Sequence, residues 1–237
     1  MVPRATQITA IRLYFIPVQM RVPLKFGHET TNSVTCARVA MRVADESGSE
    51  AEGWGETPLS VQWVWPSTLP YEQRHHALKE FCKKAAAAWI GFSPTGHSLE
   101  AGYRFQEEFL PKLIDQFGSE RSAGFTRHGD SSSTMLPDKS GIPLADSRCA
   151  PKLPRLAALV CTSPFDIALH DALGKLVGRP VYQTYGGDMS GTDLGLFLRA
   201  ADDSLGPFPG RCPAIVPITA HLGFTRQLSI HQFDRTK

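Results

Sequence analysis

The stretch Ser163–Tyr182, SPFDIALHDALGKLVGRPVY, decides the fold of this chain. It carries the punctuation of one helix. Ser163 is the candidate N-cap, Pro164 suits the first helical position, and Asp166 completes an S-x-x-D start signal. Phe165, Ala168, Leu169, Ala172, Leu173 and Leu176 recur at the helical period and make one apolar face. Gly178 fits the position just past the last turn, and Pro180 stops continuation. Such a face must be buried against other elements, and the upstream sequence supplies them.

Ile11, Leu13 and Phe15 alternate with Arg12 and Tyr14, the period of a half-buried strand. Pro17 is read as its end, and Met20–Thr31, with Pro23 and Gly27, as a loop. Alternation returns at Ala37, Val39, Met41 and Val43. Asp45–Gly48 is a turn signal, and Ala51–Glu56 returns as a hairpin partner. Pro70 then precedes a helix over Tyr71–Ile90, striped by Ala77, Leu78, Phe81, Cys82, Ala85 and Trp89, with Gly91 as its stop. A second helix is predicted from Ser98 to near Phe109, after which Pro111 and Lys112 lead into Leu113–Phe117. A short helix over Leu153–Val160 is predicted ahead of Ser163.

Strands followed by helices predict an α+β fold, a three-stranded antiparallel sheet packed with helices on one face. The expected divisions are residues 1–117 for the α+β domain and 151–187 for helices packed on it. Residues 118–150, rich in Ser, Gly, Asp, Arg and Pro and including Ser131–Ser133, read as a flexible insertion. Residues 188–237 read as an irregular tail, because Gly206, Pro207, Pro209, Gly210, Pro213 and Pro217 interrupt any longer element.

Composition narrows the function classes. The formal charge is +2 over 237 residues, with lysine and arginine scattered, so no nucleic-acid or membrane-surface partner is expected. Five cysteines without a C-x-x-C pair point to neither a zinc ribbon nor a thioredoxin-like site, but to reduced, mostly buried thiols. Arg12 interrupts the apolar stretch Ile8–Val18, and no small-residue cleavage site follows it. No apolar run reaches the length of a membrane span, and a cytoplasmic location is the expectation.

Several segments, in order, resemble the mandelate racemase/muconate lactonizing branch of the enolase superfamily. Pro23-Leu24-Lys25-Phe26-Gly27 is similar to that family's first capping loop, and Gly53-Trp54-Gly55-Glu56 to the G-x-G-E segment ending its third strand. His170-Asp171 with Gly174-Lys175, then Gly178-Arg179-Pro180-Val181-Tyr182, resemble the helix joining cap to barrel and its exit. Tyr185-Gly186-Gly187 resembles the barrel entry. The resemblance implies an enolase N-terminal-like capping domain for residues 1–117. It also implies Mg²⁺-assisted abstraction of a proton α to a carboxylate in an intact relative, as racemase, cycloisomerase or dehydratase. The partner it implies is a carboxylate-bearing small molecule.

Only about 50 residues follow Gly187, where a (β/α)8 barrel needs roughly 200 or more. No glutamate follows Glu120, and the only lysine after Lys175 is Lys237. The later aspartates, Asp188, Asp193, Asp202, Asp203 and Asp234, lack strand-by-strand spacing. The expectation is therefore a truncated relative, inactive alone, without a complete barrel and with no catalytic residue, metal ligand or cofactor of its own. The alternative is a stand-alone, non-catalytic module that kept the capping fold and covers its exposed surface with a partner or by self-association.

Lys25, Phe26 and His28 stand where the resemblance places substrate-covering side chains; the competing reading makes them ordinary loop residues. Trp54 either lines the same cleft or packs between sheet and helices. Trp63, Trp65 and Pro66 form a candidate exposed apolar patch. His75 and His76 diverge on a helix and read as solvated. His170 and Asp171 are neighbours in sequence and so do not face one another, which favours structural roles. Ser163 lacks a G-x-S-x-G context, and Gly186-Gly187 has no following K-[ST], so neither a nucleophile nor a phosphate loop is supported.

Overall fold

The computed structural model describes residues 6–26, 29–92, 96–127 and 152–185. Three strands, β1 (Thr6–Phe26), β2 (Glu29–Asp45) and β3 (Glu50–Pro58), form an antiparallel sheet in the order β1-β2-β3. Helices α1 (Val61–Val64), α2 (Tyr71–Gly91), α3 (Ser98–Arg104), α4 (Leu110–Arg127) and α5 (Arg155–Leu176) follow, and a 3₁₀ turn spans Val181–Thr184. This is the α+β sheet-and-helices fold expected from the sequence.

The first strand is longer than expected. Pro17 does not end it but pairs with Thr35, and after a register shift between Gln19 and Leu24 the ladder continues to Phe26↔Glu29. The physical reason is position. β1 is an edge strand, so proline's missing N–H can face outward without breaking a ladder bond. β3 stops at Pro58 opposite Cys36, and beyond that point β1 and β2 run on as a two-stranded ribbon.

One sheet face is buried. Val39, Met41 and Val43 are fully enclosed together with Trp89, Phe105 and Phe165. A second cluster places Ala37 with Leu59, Phe81, Phe117 and Cys161. The outer face carries Arg12, Tyr14, Arg38, Arg42, Glu52, Trp54 and Glu56, joined by Arg12–Glu52 at 2.8 Å and by an Arg38–Glu56 pair.

Helix α5 departs most from its predicted form. It starts after Pro154 at Arg155 and runs unbroken to Leu176, so Ser163 and Pro164 lie in its interior. Ser163 is no cap; its Oγ lies 3.0 Å from the Thr57 hydroxyl. Pro164 gives no N–H to the Val160 carbonyl, yet tertiary burial on both sides of the helix carries the chain through. Ala157, Ala158, Cys161, Phe165, Ala168, Leu169 and Ala172 are all buried, which makes α5 a central helix and not one with a single apolar face. Its merged length also makes it long and apolar enough to cross a membrane by composition alone, contrary to the sequence expectation. Its packing against sheet and helices is that of a core helix.

The second helix also extends further. α3 passes through a π turn, Phe105–Phe109, where the Leu110 N–H bonds to the Phe105 carbonyl, directly into α4. The widened turn sits just ahead of Pro111, whose missing N–H would otherwise leave a gap in the α-helical ladder. α4 then continues through Gly118 to Arg127, so the first part of the expected 118–150 insertion is helical. Residues 128–151 and the expected tail at 188–237 lie outside the described residues.

The tryptophan cluster does not form a patch. Trp65 is buried beneath Arg121, with its carbonyl accepting from Arg74 Nη1 at 2.7 Å, while Trp63 and Pro66 are exposed. Nor is His75 solvated: it stacks on Tyr71, and its Nε2 lies 2.9 Å from Thr35 Oγ1. Cys36, Cys82 and Cys161 are buried and free.

Candidate functional site

Two of the predicted substrate-facing residues, Lys25 and Trp54, lie far apart along the sheet. Lys25 is exposed near the ribbon tip, paired in register with Thr30. Phe26 pairs with Glu29 through the backbone, and His28 lies outside the described residues. Trp54 pairs in register with Ala40, ten residues along β2 from Thr30, which is about 30 Å of strand. It lies on the outer sheet face, stacked on Tyr14 at 6.2 Å with Arg12 over its ring. Trp54 therefore packs neither between sheet and helices nor beside Lys25.

The G-W-G-E segment has a tertiary explanation. A Cβ on Gly53 would strike the Ala168 carbonyl and the Ala172 amide, and one on Gly55 would strike the Pro164 carbonyl and the Ala168 amide. The two glycines let α5 lie directly on the β3 backbone. Polar side chains of α5 then satisfy the free edge of β3. Asp171 Oδ2 accepts the Trp54 N–H at 2.8 Å, and Lys175 Nζ donates to the Glu52 carbonyl at 3.0 Å. Asp171 and Lys175 also pair with each other at 2.8 Å, one helical turn apart.

His170, next in sequence to Asp171, faces the opposite way into a polar cluster. Its Nδ1 lies 2.7 Å from the Tyr185 hydroxyl and 3.0 Å from Ser98 Oγ, and its Nε2 lies 3.9 Å from Asp166 Oδ1. His97 caps α3: its Nδ1 accepts the Leu99 N–H at 3.1 Å, while its Nε2 lies 2.9 Å from Thr184 Oγ1. Burial lowers the His97 pKa, opposed by the Glu100 charge. Burial, reinforced by His97, pushes His170 down to about 4. Burial raises Asp166 to about 6 and Tyr185 to about 12. Both histidines are neutral at pH 7 by these causes.

Sequence reasoning missed His97, Ser98, Thr184 and Tyr185 as a cluster, because chain positions near 97, 170 and 185 meet only through the fold. The one available signal was local: His97 stands three residues before Glu100, the spacing of a helix start. Asp166 Oδ1 and Trp89 Nε1 are sealed from solvent without hydrogen-bond partners, so neither offers a ligand contact. Among the described residues no group of three His, Cys, Asp or Glu side chains could hold a metal ion.

The described residues thus define an α+β unit in which a central helix seals a sheet edge and a polar cluster ties down the last turn. No protein-family model matches the chain, and no curated protein sequence does. Among solved structures, the chain is similar to the L-Ala-D/L-Glu epimerase from Bacillus subtilis, with 22% identity, a TM-score of 0.36, and coverage of 76% of this chain and 34% of the epimerase. It is similar to an enolase from Streptomyces coelicolor at 19% identity and TM-score 0.38, covering 76% and 32%. N-succinyl Arg/Lys racemase from Bacillus cereus gives 19% identity and TM-score 0.35, covering 76% and 33%. The chain spans about a third of the length of these proteins. Likenesses this distant assign no activity to it.

Proposed function

We propose that the chain is a substrate-capping unit of the mandelate racemase/muconate lactonizing type, working over a barrel that carries out Mg²⁺-assisted proton abstraction α to a carboxylate. The observation that carries this reading is the ribbon formed by β1 and β2 beyond the end of β3. Val18, Val22 and Leu24 are exposed on it, as are the cations Arg21 and Lys25. A two-stranded ribbon is marginally stable by itself, and this one pairs apolar surface with positive charge, suited to close over an anionic small molecule. The sequence resemblance, which runs through the ribbon, the G-W-G-E segment and α5, supports the same assignment. In this reading the base, the Mg²⁺ ligands and the choice among racemase, cycloisomerase and dehydratase belong to the barrel, and the protein works in the cytoplasm.

The test is α-proton exchange in D₂O with Mg²⁺, followed by NMR over a panel of carboxylates. The purified chain alone is expected to give none. The chain mixed with the barrel of a related epimerase lacking its own cap is expected to give exchange that Lys25→Ala weakens. Exchange by the chain alone, or a mixture indifferent to the ribbon, overturns the reading.

The exposed Tyr14–Trp54 stack favours a second reading, a non-catalytic module that self-associates through the outer sheet face. Light scattering decides it: a dimer abolished by Trp54→Ala supports this module, and a monomer at all concentrations removes it.

A further inference from the structure

We propose that His97 and His170 form an acid-sensitive latch, which holds Val181–Tyr185 against α3 and α5 and opens when these imidazoles take up protons. The hydrogen bonds around His97 permit one protonation state. Leu99 N–H can only donate, so Nδ1 must present its lone pair. Nε2 therefore carries the hydrogen and donates to Thr184 Oγ1, whose own hydroxyl passes on to the Val181 carbonyl at 2.6 Å. A second proton on Nδ1 would set N–H against N–H, losing the α3 cap and placing a buried cation beside the Thr184 link. His170 Nδ1 lies 2.7 Å from the Tyr185 phenol and 3.0 Å from Ser98 Oγ, hydroxyls that can meet the neutral ring in either tautomer, and a second ring proton would place a buried cation in the same cluster.

The two rings stand 6.3 Å apart, so a charge on one opposes a charge on the other. The titratable groups facing them are Glu100 from α3, Asp166 from α5, and Tyr182 and Tyr185 from the last segment. Released histidines return to an ordinary pKa of about 6.5, above their closed-state values, so protons favour the open form. The latch is at full strength above that pH and weakens as pH falls toward about 4. Asp166 works the other way. Its pKa is higher in the closed form, so opening sheds its proton and offsets part of the histidine uptake.

Hydrogen exchange on the full-length protein tests the latch through the amides of Leu99 and Gln183, both bonded in the closed form. After correction for intrinsic rates, their protection is expected to fall at least tenfold between pH 7.5 and 5, while Val39 and Met41 in β2 keep theirs. His170→Asn keeps an oxygen acceptor near the Nδ1 position but cannot be protonated, and it should shrink the acid loss. If that variant misfolds, NMR titration of the wild-type imidazoles serves instead, with midpoints below the ordinary value of about 6.5 that coincide with the loss of protection. Unchanged protection at pH 5, equal loss in β2, or histidine midpoints near 6.5 would overturn the latch.

Discussion

Asp171 Oδ2 accepts the backbone N–H of Trp54 at 2.8 Å, a bond from helix α5 to the free edge of β3 across 117 residues of sequence. An edge strand presents unpaired N–H and C=O groups that can recruit another chain. Here a side-chain pair on α5 occupies them, Asp171 taking the N–H of Trp54 and Lys175 the carbonyl of Glu52. Replacing Asp171 with alanine should lower stability by about 1 kcal/mol, the net worth of a hydrogen bond at a site that water can reach. Asp171→Asn, which keeps an acceptor oxygen, should lose less. Urea unfolding of both variants measures the difference, and equal losses would place the effect in charge and not in the edge bond.

The contact of α5 with β3 makes the glycines of G-W-G-E irreplaceable for steric reasons. Gly53→Ala and Gly55→Ala each drive a methyl into α5 backbone atoms that cannot move independently. A loss of about 1–3 kcal/mol or more per site is expected. Gly118 supplies the control, since it lies within α4 and a Cβ there meets nothing within 4 Å. Gly118→Ala should stabilise by about 0.5–1 kcal/mol. Thermal unfolding of the three variants should therefore move in opposite directions.

The elements legible in the sequence are those whose signals are local. β3, α2 and the Ala37–Val43 part of β2 follow their period, and Pro70 precedes α2 as expected. But β2 begins at Glu29, inside the stretch read as a loop, and Gly91 is the last residue of α2. Two of the misreadings share one cause: a proline's effect depends on where its missing N–H points. Pro17 sits on an edge strand and Pro164 inside a helix buried on both sides, and neither setting is visible from neighbouring residues. The site was less legible than the fold. G-x-G could be seen, but its purpose is the backbone of a helix more than 100 residues away. His170 and Asp171 could be assigned to different directions from helical geometry alone, whereas the partners they meet required the structure.

Asp166 gives a pH dependence with a definite sign. Its folded pKa, about 6, lies above the unfolded value near 3.8, so its contribution is fully present below 3.8 and lost as pH rises through 6. At pH 8 the folded protein holds a half-buried carboxylate that has no hydrogen bond at Oδ1. Its side chain is 33% exposed, so solvent screens part of the cost. Asp166→Asn should then be about 1 kcal/mol more stable than the parent at pH 8, with the gain vanishing by pH 4. Urea midpoints at the two pH values check both size and sign.

Trp63 and Trp65 are two residues apart and should behave oppositely. Trp65 is 3% exposed, packed under Arg121 and in the cluster with Leu59, Phe81 and Phe117. Trp63 is 57% exposed on α1. Trp65→Ala should cost about 3–5 kcal/mol, the range for emptying a buried aromatic position. Trp63→Ala should fall within about 0.5 kcal/mol of the parent, as surface changes do. Guanidinium unfolding of the pair provides the measurement. A large loss at Trp63 would mean that its exposed ring is covered in solution by a second molecule, which a concentration-dependent midpoint would confirm.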